Sequence, residues 1–460
     1  MIIKHFYIYL ILSSIIWNLN SSAIEENIQT ETKPLRLDLK NAVGIALEKS
    51  PLLSEALAGI KKSESDYRNS LAAILPNLSG DISQQRKIIN FQTTGISTVF
   101  PNNSSTSFPN ISNIEKVGPF NVFDARANID ETFLDFEAVY DIKASKQNIV
   151  ASEHSFNNIR QLVQTNTVAA YIETLRLEAE VRKAQSDVDT SKTLFKQAFD
   201  LNYARMATKL DVKRARVQLL NNEQTLLESE NNYKIALMFL AKTMGISPST
   251  PLTLEDSLKF EHVIQEPLEE MLDLAFSKRS DFLSLKANEK EYIYRIKSAK
   301  MQPLPKLGLH ADYGASGLTI VDSVIPTWSV MGFIRIPFFN GGRTLAKIGE
   351  AKAQLTQIQA QIDDLINQIN FDVHSSLLRL DSSAKEVDVA REGVGLADKS
   401  LELSRDRFEA GYTDNVEVVL AQNDLARARE NLIRALFNYN QSRVSLAKAI
   451  GDISLVYELK

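Results

Sequence analysis

The chain has five histidines, His5, His154, His262, His310 and His374, and no two share the spacing that sets a pair of ligands on one helix face. Each reads as an ordinary surface or interface residue. With no cysteine, disulfides, thiolate metal sites, thiol nucleophiles and acylated cysteine anchors are excluded. Neither a Gly-rich phosphate loop, a His-Glu helix motif nor a nucleophile elbow occurs, and scattered Ser and Asp residues do not make a triad. The expectation is a protein that is not an enzyme, with no catalytic residue, cofactor or resident metal. What remains is the electrostatics of carboxylates placed at helix starts, where an acid meets the positive end of the helix dipole. Asp211 and Glu417 are two such acids at matching places in the chain.

Positioning them takes a scaffold, and the composition says of what kind. The 460 residues are 44% hydrophobic and 24% charged, enough apolar material for a large core. The net charge of −5 offers no general attraction to nucleic-acid phosphates. Lys4 and His5 precede an apolar run from Phe6 to Trp17, and Ser21-Ser22-Ala23 supplies the small residues a signal peptidase reads, so residues 1–23 are expected to be a cleaved secretory signal. That run is shorter than the roughly 20 residues of a spanning helix, and no later run is long enough. A membrane crossing would have to be made by strands.

The sequence repeats itself. One constant offset pairs Leu39 with Leu268, Ala46 with Ala275, Ala58 with Ala287 and Leu75-Pro76 with Leu304-Pro305. A second pairs Val212 with Val418, Leu219 with Leu425, Asn232-Tyr233 with Asn438-Tyr439 and Gly245 with Gly451, and also Asp211 with Glu417. This implies a tandem duplication, with residues 24–247 as the first structural repeat and 248–460 as the second. The offsets differ because the first copy is longer in the Asn, Ser, Thr and Pro-rich tract from Thr93 to Pro119, read as a long exposed loop.

From Phe120 to Met244 there is neither Gly nor Pro, and no Pro follows Pro337, so each repeat is expected to end in a long helical hairpin. Val387, Ala390, Val394, Ala397, Leu401, Ser404 and Phe408 alternate three and four residues apart, which keeps one seam facing a partner helix. Leu425 to Ala449 and Leu219 to Leu240 continue the pattern in the returning runs. An outgoing helix from Glu137 to Ala204 would span about 100 Å at 1.5 Å per residue. Before each hairpin lie two stretches with strand alternation: Phe123 to Asp130 and Leu307 to Gly314 cleanly, Leu78 to Phe91 and Trp328 to Phe338 less so. Four strands cannot close a membrane barrel, which needs at least about eight, so two or more chains must share one. A periplasmic or surface coiled coil without a pore is the alternative.

Together the signal, duplication, strand pairs and hairpins resemble the TolC-type outer-membrane efflux family, across nearly the whole mature chain. The segments Ile74-Leu75-Pro76-Asn77-Leu78 and Pro303-Leu304-Pro305-Lys306-Leu307 look like its entry into the strands. Ile336-Pro337-Phe338-Phe339-Asn340-Gly341-Gly342-Arg343 looks like the exit, and Phe408-Glu409-Ala410-Gly411-Tyr412 is similar to the second hairpin tip. The resemblance implies a mainly α fold with a β membrane part: duplicated coiled-coil hairpins forming a tunnel, and four strands per chain in a shared twelve-stranded trimeric barrel. It implies an outer-membrane channel of a Gram-negative bacterium, with a large periplasmic portion. Such a channel serves tripartite efflux or type I secretion, with a periplasmic adaptor, an inner-membrane pump of RND or ABC type, and outer-membrane lipid as partners. Asp211 and Glu417 then become periplasmic aperture acids, Phe408 a gate seam residue, and Arg205, Met206, Ala410, Gly411, Tyr412 and Thr413 adaptor contacts at the tips. Leu420 stands where some members carry a second acid and Thr413 where some carry a locking Arg, while Ala204-Arg205-Met206 lacks the Gly usual at the first tip.

Overall fold

The computed structural model of the chain describes residues 34–90, 116–261, 267–410, 412–413 and 415–457. The expected signal (residues 1–23), His5, His262, Gly411 and most of the expected Thr93–Pro119 loop lie outside them. The first half runs β1 (Leu35–Leu37), α1 (Leu39–Lys49), α2 (Pro51–Ala72), β2 (Asn77–Asn90), β3 (Lys116–Leu134), α3 (Phe136–Tyr203) and α4 (Lys209–Thr243). The second runs β4 (Leu252–Leu254), α5 (Leu268–Lys278), α6 (Ser280–Met301), β5 (Lys306–Gly317), β6 (Ile325–Arg335), α7 (Arg343–Glu409), α8 (Asn415–Ile450) and the short α9 (Ser454–Tyr457). The order is the same twice, and helices of 11, 22, 68 and 35 residues are answered by 11, 22, 67 and 36.

The elements gather into two compact units that cut across the halves, so each unit draws on both. The first holds Met1–Pro51, Gln161–Pro267 and His374–Lys460. In it β1 pairs in parallel with β4, joining the two halves. In the same unit Val43, Val168, Ile172, Val444, Ala447 and Ile453 form a core, and Tyr171 is fully buried. The Tyr171 hydroxyl lies 2.9 Å from the Leu37 carbonyl and 2.8 Å from Asp256, whose Oδ2 also accepts from the Leu39 amide. Burial, helped by the neighbouring Asp256, pushes this hydroxyl well above the usual tyrosine range, so it stays a donor. Both returning helices end on a glycine at positive φ, Gly245 and Gly451. The amides at 245 and 246 bond back to Lys242 and Ala241, and those at 451 and 452 to Lys448 and Ala447. A Cβ on Gly245 would stand 2.6 Å from the Lys49 carbonyl oxygen, so the left-handed turn also needs glycine for room.

The hairpin seams bury as their spacing predicts. Val387, Leu401, Ser404 and Phe408 on α7 are buried, as are Leu425, Ala435, Tyr439, Ser442, Leu446 and Ala449 on α8 and Leu219 and Leu240 on α4. The spacing did not announce a second apolar row left uncovered: Leu378, Val389, Leu396 and Leu403 on α7, and Leu210, Val217, Leu220 and Leu227 on α4.

The second unit, Leu52–Arg160 with Leu268–Val373, contains one antiparallel sheet in the order β2-β3-β5-β6. In the same unit, α2 packs on α3 through the serine pairs Ser63–Ser152 and Ser70–Ser145, both 2.7 Å apart. Side chains this small let two helices approach closely. Three boundaries depart from the sequence reading. The outgoing helix starts and stops one residue earlier, at Phe136 and Tyr203. The tract read as loop gives way at Lys116, so Gly118 and Pro119 belong to β3 beside a register shift between Lys87 and Ile89, where a missing amide donor is tolerated. The fourth strand ends at Arg335, the partner of Lys306, instead of Phe338. Among the described residues no helix is long and apolar enough to cross a membrane.

Candidate functional site

The four strands carry two faces of opposite character. Register aligns Leu78, Ile129, Ala311 and Val330 across the sheet, then Gly80, Ala127, Tyr313 and Trp328, then Ile82, Ala125, Ala315 and Pro326. These residues share one face, and it lies open: Trp328 is 73% exposed, Val330 61% and Ile82 80%. The rows between are mainly polar: Asn77, Asp130, His310 and Met331; Ser79, Asn128, Asp312 and Ser329; Asp81, Arg126, Gly314 and Thr327. Here Asn128 and Asp312 are only 9% and 8% exposed. Apolar outside and polar inside is the reverse of a sheet folded in water.

The polar face is cross-linked from strand to strand. Arg126 reaches Asp124 on its own strand and Asp312 on β5, each at 2.6 Å. The Ser329 hydroxyl on β6 donates to the other oxygen of Asp312. Asn128 donates to Asp81 on β2 at 2.6 Å, and His310 Nδ1 lies 2.7 Å from Asp130. Gly314, directly opposite Arg126, makes the crossing possible: a Cβ there would stand 2.3 Å from the Ala125 carbonyl oxygen and 2.4 Å from the Arg126 Cβ. Gly314→Val is therefore expected to cost about 1–3 kcal/mol by overpacking, and Gly314→Ala less. Chemical unfolding of the purified protein checks it, with equal stability of both variants and wild type as the contrary result.

At the hairpin tips the acids lie where the sequence put them, with local partners it did not foretell. Asp211 closes a capping box at the start of α4: Thr208 donates to it through its amide at 2.9 Å and its hydroxyl at 2.6 Å, and the Asp211 amide returns a bond of 3.3 Å. Arg214 stands 4.0 Å away. Glu417, in the first turn of α8, accepts from the Thr413 hydroxyl at 2.5 Å on one oxygen and meets Arg407 at 3.3 Å on the other. No contact joins Asp211 to Glu417 among the described residues. Phe408 is buried in a cluster with Leu194, Leu401, Val418, Ala421 and Leu425. Arg205 takes the left-handed conformation (φ 61°) that glycine would have filled, and Met206 beside it is exposed. Exposed Ala410 bonds back to Asp406, and the amide of exposed Tyr412 to Arg407.

Sequence reasoning missed the Arg126 ladder, Arg407, and a polar knot between the hairpins. In the knot the Ser191 hydroxyl receives Asn222 at 2.5 Å and Gln422 at 2.7 Å, while Gln218 reaches Asn423. Asn222 was visible in the first seam as its one amide, the only hint of it. Among the described residues no group of three His, Asp or Glu side chains is placed to hold a metal.

A sheet of this inverted polarity, joined to long paired helices, is that of an outer-membrane channel subunit. More particularly, the chain is similar to the TolC-type outer membrane efflux proteins. The family described as outer membrane efflux protein matches residues 271–452. The outer membrane efflux protein BepC of Brucella suis is 23% identical over 323 residues, 69% of this chain and 70% of BepC. The pyoverdine export outer membrane protein OpmQ of Pseudomonas aeruginosa is 21% identical over 425 residues, 90% of this chain and 85% of OpmQ. Among solved structures, the outer membrane protein VceC of Vibrio cholerae shares the fold with a TM-score of 0.73 at 18% identity, covering 90% of this chain and 96% of that one. The family is one of channels, and the chain is an outer-membrane protein.

Proposed function

We propose that three copies of this chain form the outer-membrane exit duct of an efflux or secretion assembly, conducting cargo passively from a periplasmic adaptor and an inner-membrane pump to the exterior. The observation that carries this reading is the sheet. Its outermost strands, β2 and β6, have no second partner within the chain among the described residues, and its apolar face is open. Unpaired strand edges are not tolerated in lipid, so β6 of one copy pairs with β2 of the next, and three sets of four strands close a twelve-stranded barrel. The uncovered rows on α4 and α7 supply matching helix contacts between copies. The two repeats, 24–247 and 248–460, are then duplicated halves of one stave. Exposed Met206 and Tyr412, with Arg205, Ala410, Gly411 and Thr413, make the adaptor-facing tips, Asp211 and Glu417 the aperture, and buried Phe408 its seam. The pump is of RND or ABC type.

The test is the full chain purified in detergent. Light scattering is expected to give the mass of three copies, and planar bilayers doped with the protein are expected to show discrete conductance steps. A monomer that stays soluble without detergent and never conducts would return the reading to a structural coiled coil.

A further inference from the structure

Glu417 has both carboxylate oxygens engaged within its own hairpin, one by Arg407 at 3.3 Å and one by Thr413 at 2.5 Å. The hairpin holds the guanidinium there by construction. Arg407 lies in the last turn of α7 and Glu417 in the first turn of α8, and the turn between them is closed by the Tyr412 amide bonding to the Arg407 carbonyl at 2.9 Å. Below, Phe408 and Val418 pack into one apolar cluster, which fixes the two helix ends against each other. Asp211 accepts from the Thr208 hydroxyl and amide, with Arg214 at 4.0 Å.

We infer that Arg407 is a selectivity-determining residue: it cancels the charge of Glu417 in each copy, so that the Glu417 position adds no net charge to the aperture. The inference rests on the duct reading above. Three bare carboxylates around an axis gather cations and attract divalent ions. A carboxylate with a guanidinium a few ångströms away presents a dipole instead, whose field falls off faster than that of a charge and is screened within about 10 Å at moderate salt. The bond itself need not be strong. Both groups are partly exposed, and such a pair adds little stability, but the cation stays within reach and the net charge of the pair is the same.

The experiment is the reversal potential of the full-length channel in a KCl gradient, with Mg²⁺ titrated on the tip side. The set is wild type, Arg407→Gln, Arg407→Lys, Glu417→Gln and the double variant Arg407→Gln/Glu417→Gln, each first shown to keep the wild-type mass in detergent. Arg407→Gln is expected to raise the K⁺ over Cl⁻ permeability ratio on the order of threefold, and to bring Mg²⁺ block to correspondingly lower concentration. Glu417→Gln moves the ratio the opposite way, while Arg407→Lys and the double variant stay at wild type. A conducting Arg407→Gln channel with unchanged ratio and block overturns the neutralisation of Glu417 and leaves the duct standing. A double variant that keeps the selectivity of Arg407→Gln also overturns it, because the effect then does not pass through Glu417. Absence of conductance in the wild type removes the duct and the neutralisation together.

Discussion

Val330→Arg is expected to cost about 2–4 kcal/mol and to deplete folded protein from the membrane fraction, whereas Met331→Arg, one residue on, stays within about 0.5 kcal/mol of wild type. The two positions are adjacent in β6, similarly exposed in a single copy, and point to opposite faces. Val330 shares its row with Leu78, Ile129 and Ala311, the row that would meet acyl chains in the proposed barrel, near the middle of its strand. Met331 shares its row with His310 and Asp130, where an added cation finds an acid and water. Unfolding titrations in lipid vesicles read the difference directly. In a sheet that lived in water both substitutions would be surface changes, so equal and small effects would remove the membrane assignment.

Tyr171→Ala is expected to cost about 3–5 kcal/mol, the cost of emptying a fully buried aromatic site, and Tyr171→Phe about 1 kcal/mol. The split follows from what the side chain does. Its ring is fully buried, and the ring accounts for most of the energy. Its hydroxyl satisfies the Leu37 carbonyl or Asp256, and Asp256 keeps the Leu39 amide when that hydroxyl is gone. Hydrogen exchange at the amides of residues 35–43 provides the local reading, faster in the alanine variant and nearly unchanged in the phenylalanine one. Similar exchange in both would mean that the ring is not what holds β1 in place.

The helices were legible because their signal is local. A stretch without Gly or Pro and a seam at alternating spacing are visible one turn at a time, and Val387, Leu401, Phe408, Leu425 and Tyr439 bury as read. The clean strands were legible for the same reason, since Phe123 to Asp130 and Leu307 to Gly314 alternate within a few residues. Partners far apart in sequence were not. Arg126 and Asp312 meet only because β3 and β5 take one particular register, and nothing near Arg126 in the chain announces an acid on another strand. Arg407 was hidden differently. The internal repeat brought Asp211 and Glu417 forward as a pair, but the residue matching Arg407 in the first copy is Leu201, and the one matching Thr413 is Ala207. Comparing the copies therefore disclosed the acid and concealed what neutralises it. The uncovered rows on α4 and α7 went unread because an apolar residue outside the chosen seam looks the same whether water or another subunit covers it.

The cross-strand ladder on the sheet has one further consequence. Arg126 and Ser329 both bond Asp312, and Asn128 bonds Asp81, so part of the bonding capacity of these side chains is taken up across the strands. In the proposed duct, a passing molecule would meet fewer idle donors and acceptors to grip than the same side chains would offer unpaired, so cargoes of unlike chemistry would be held less tightly by the lining.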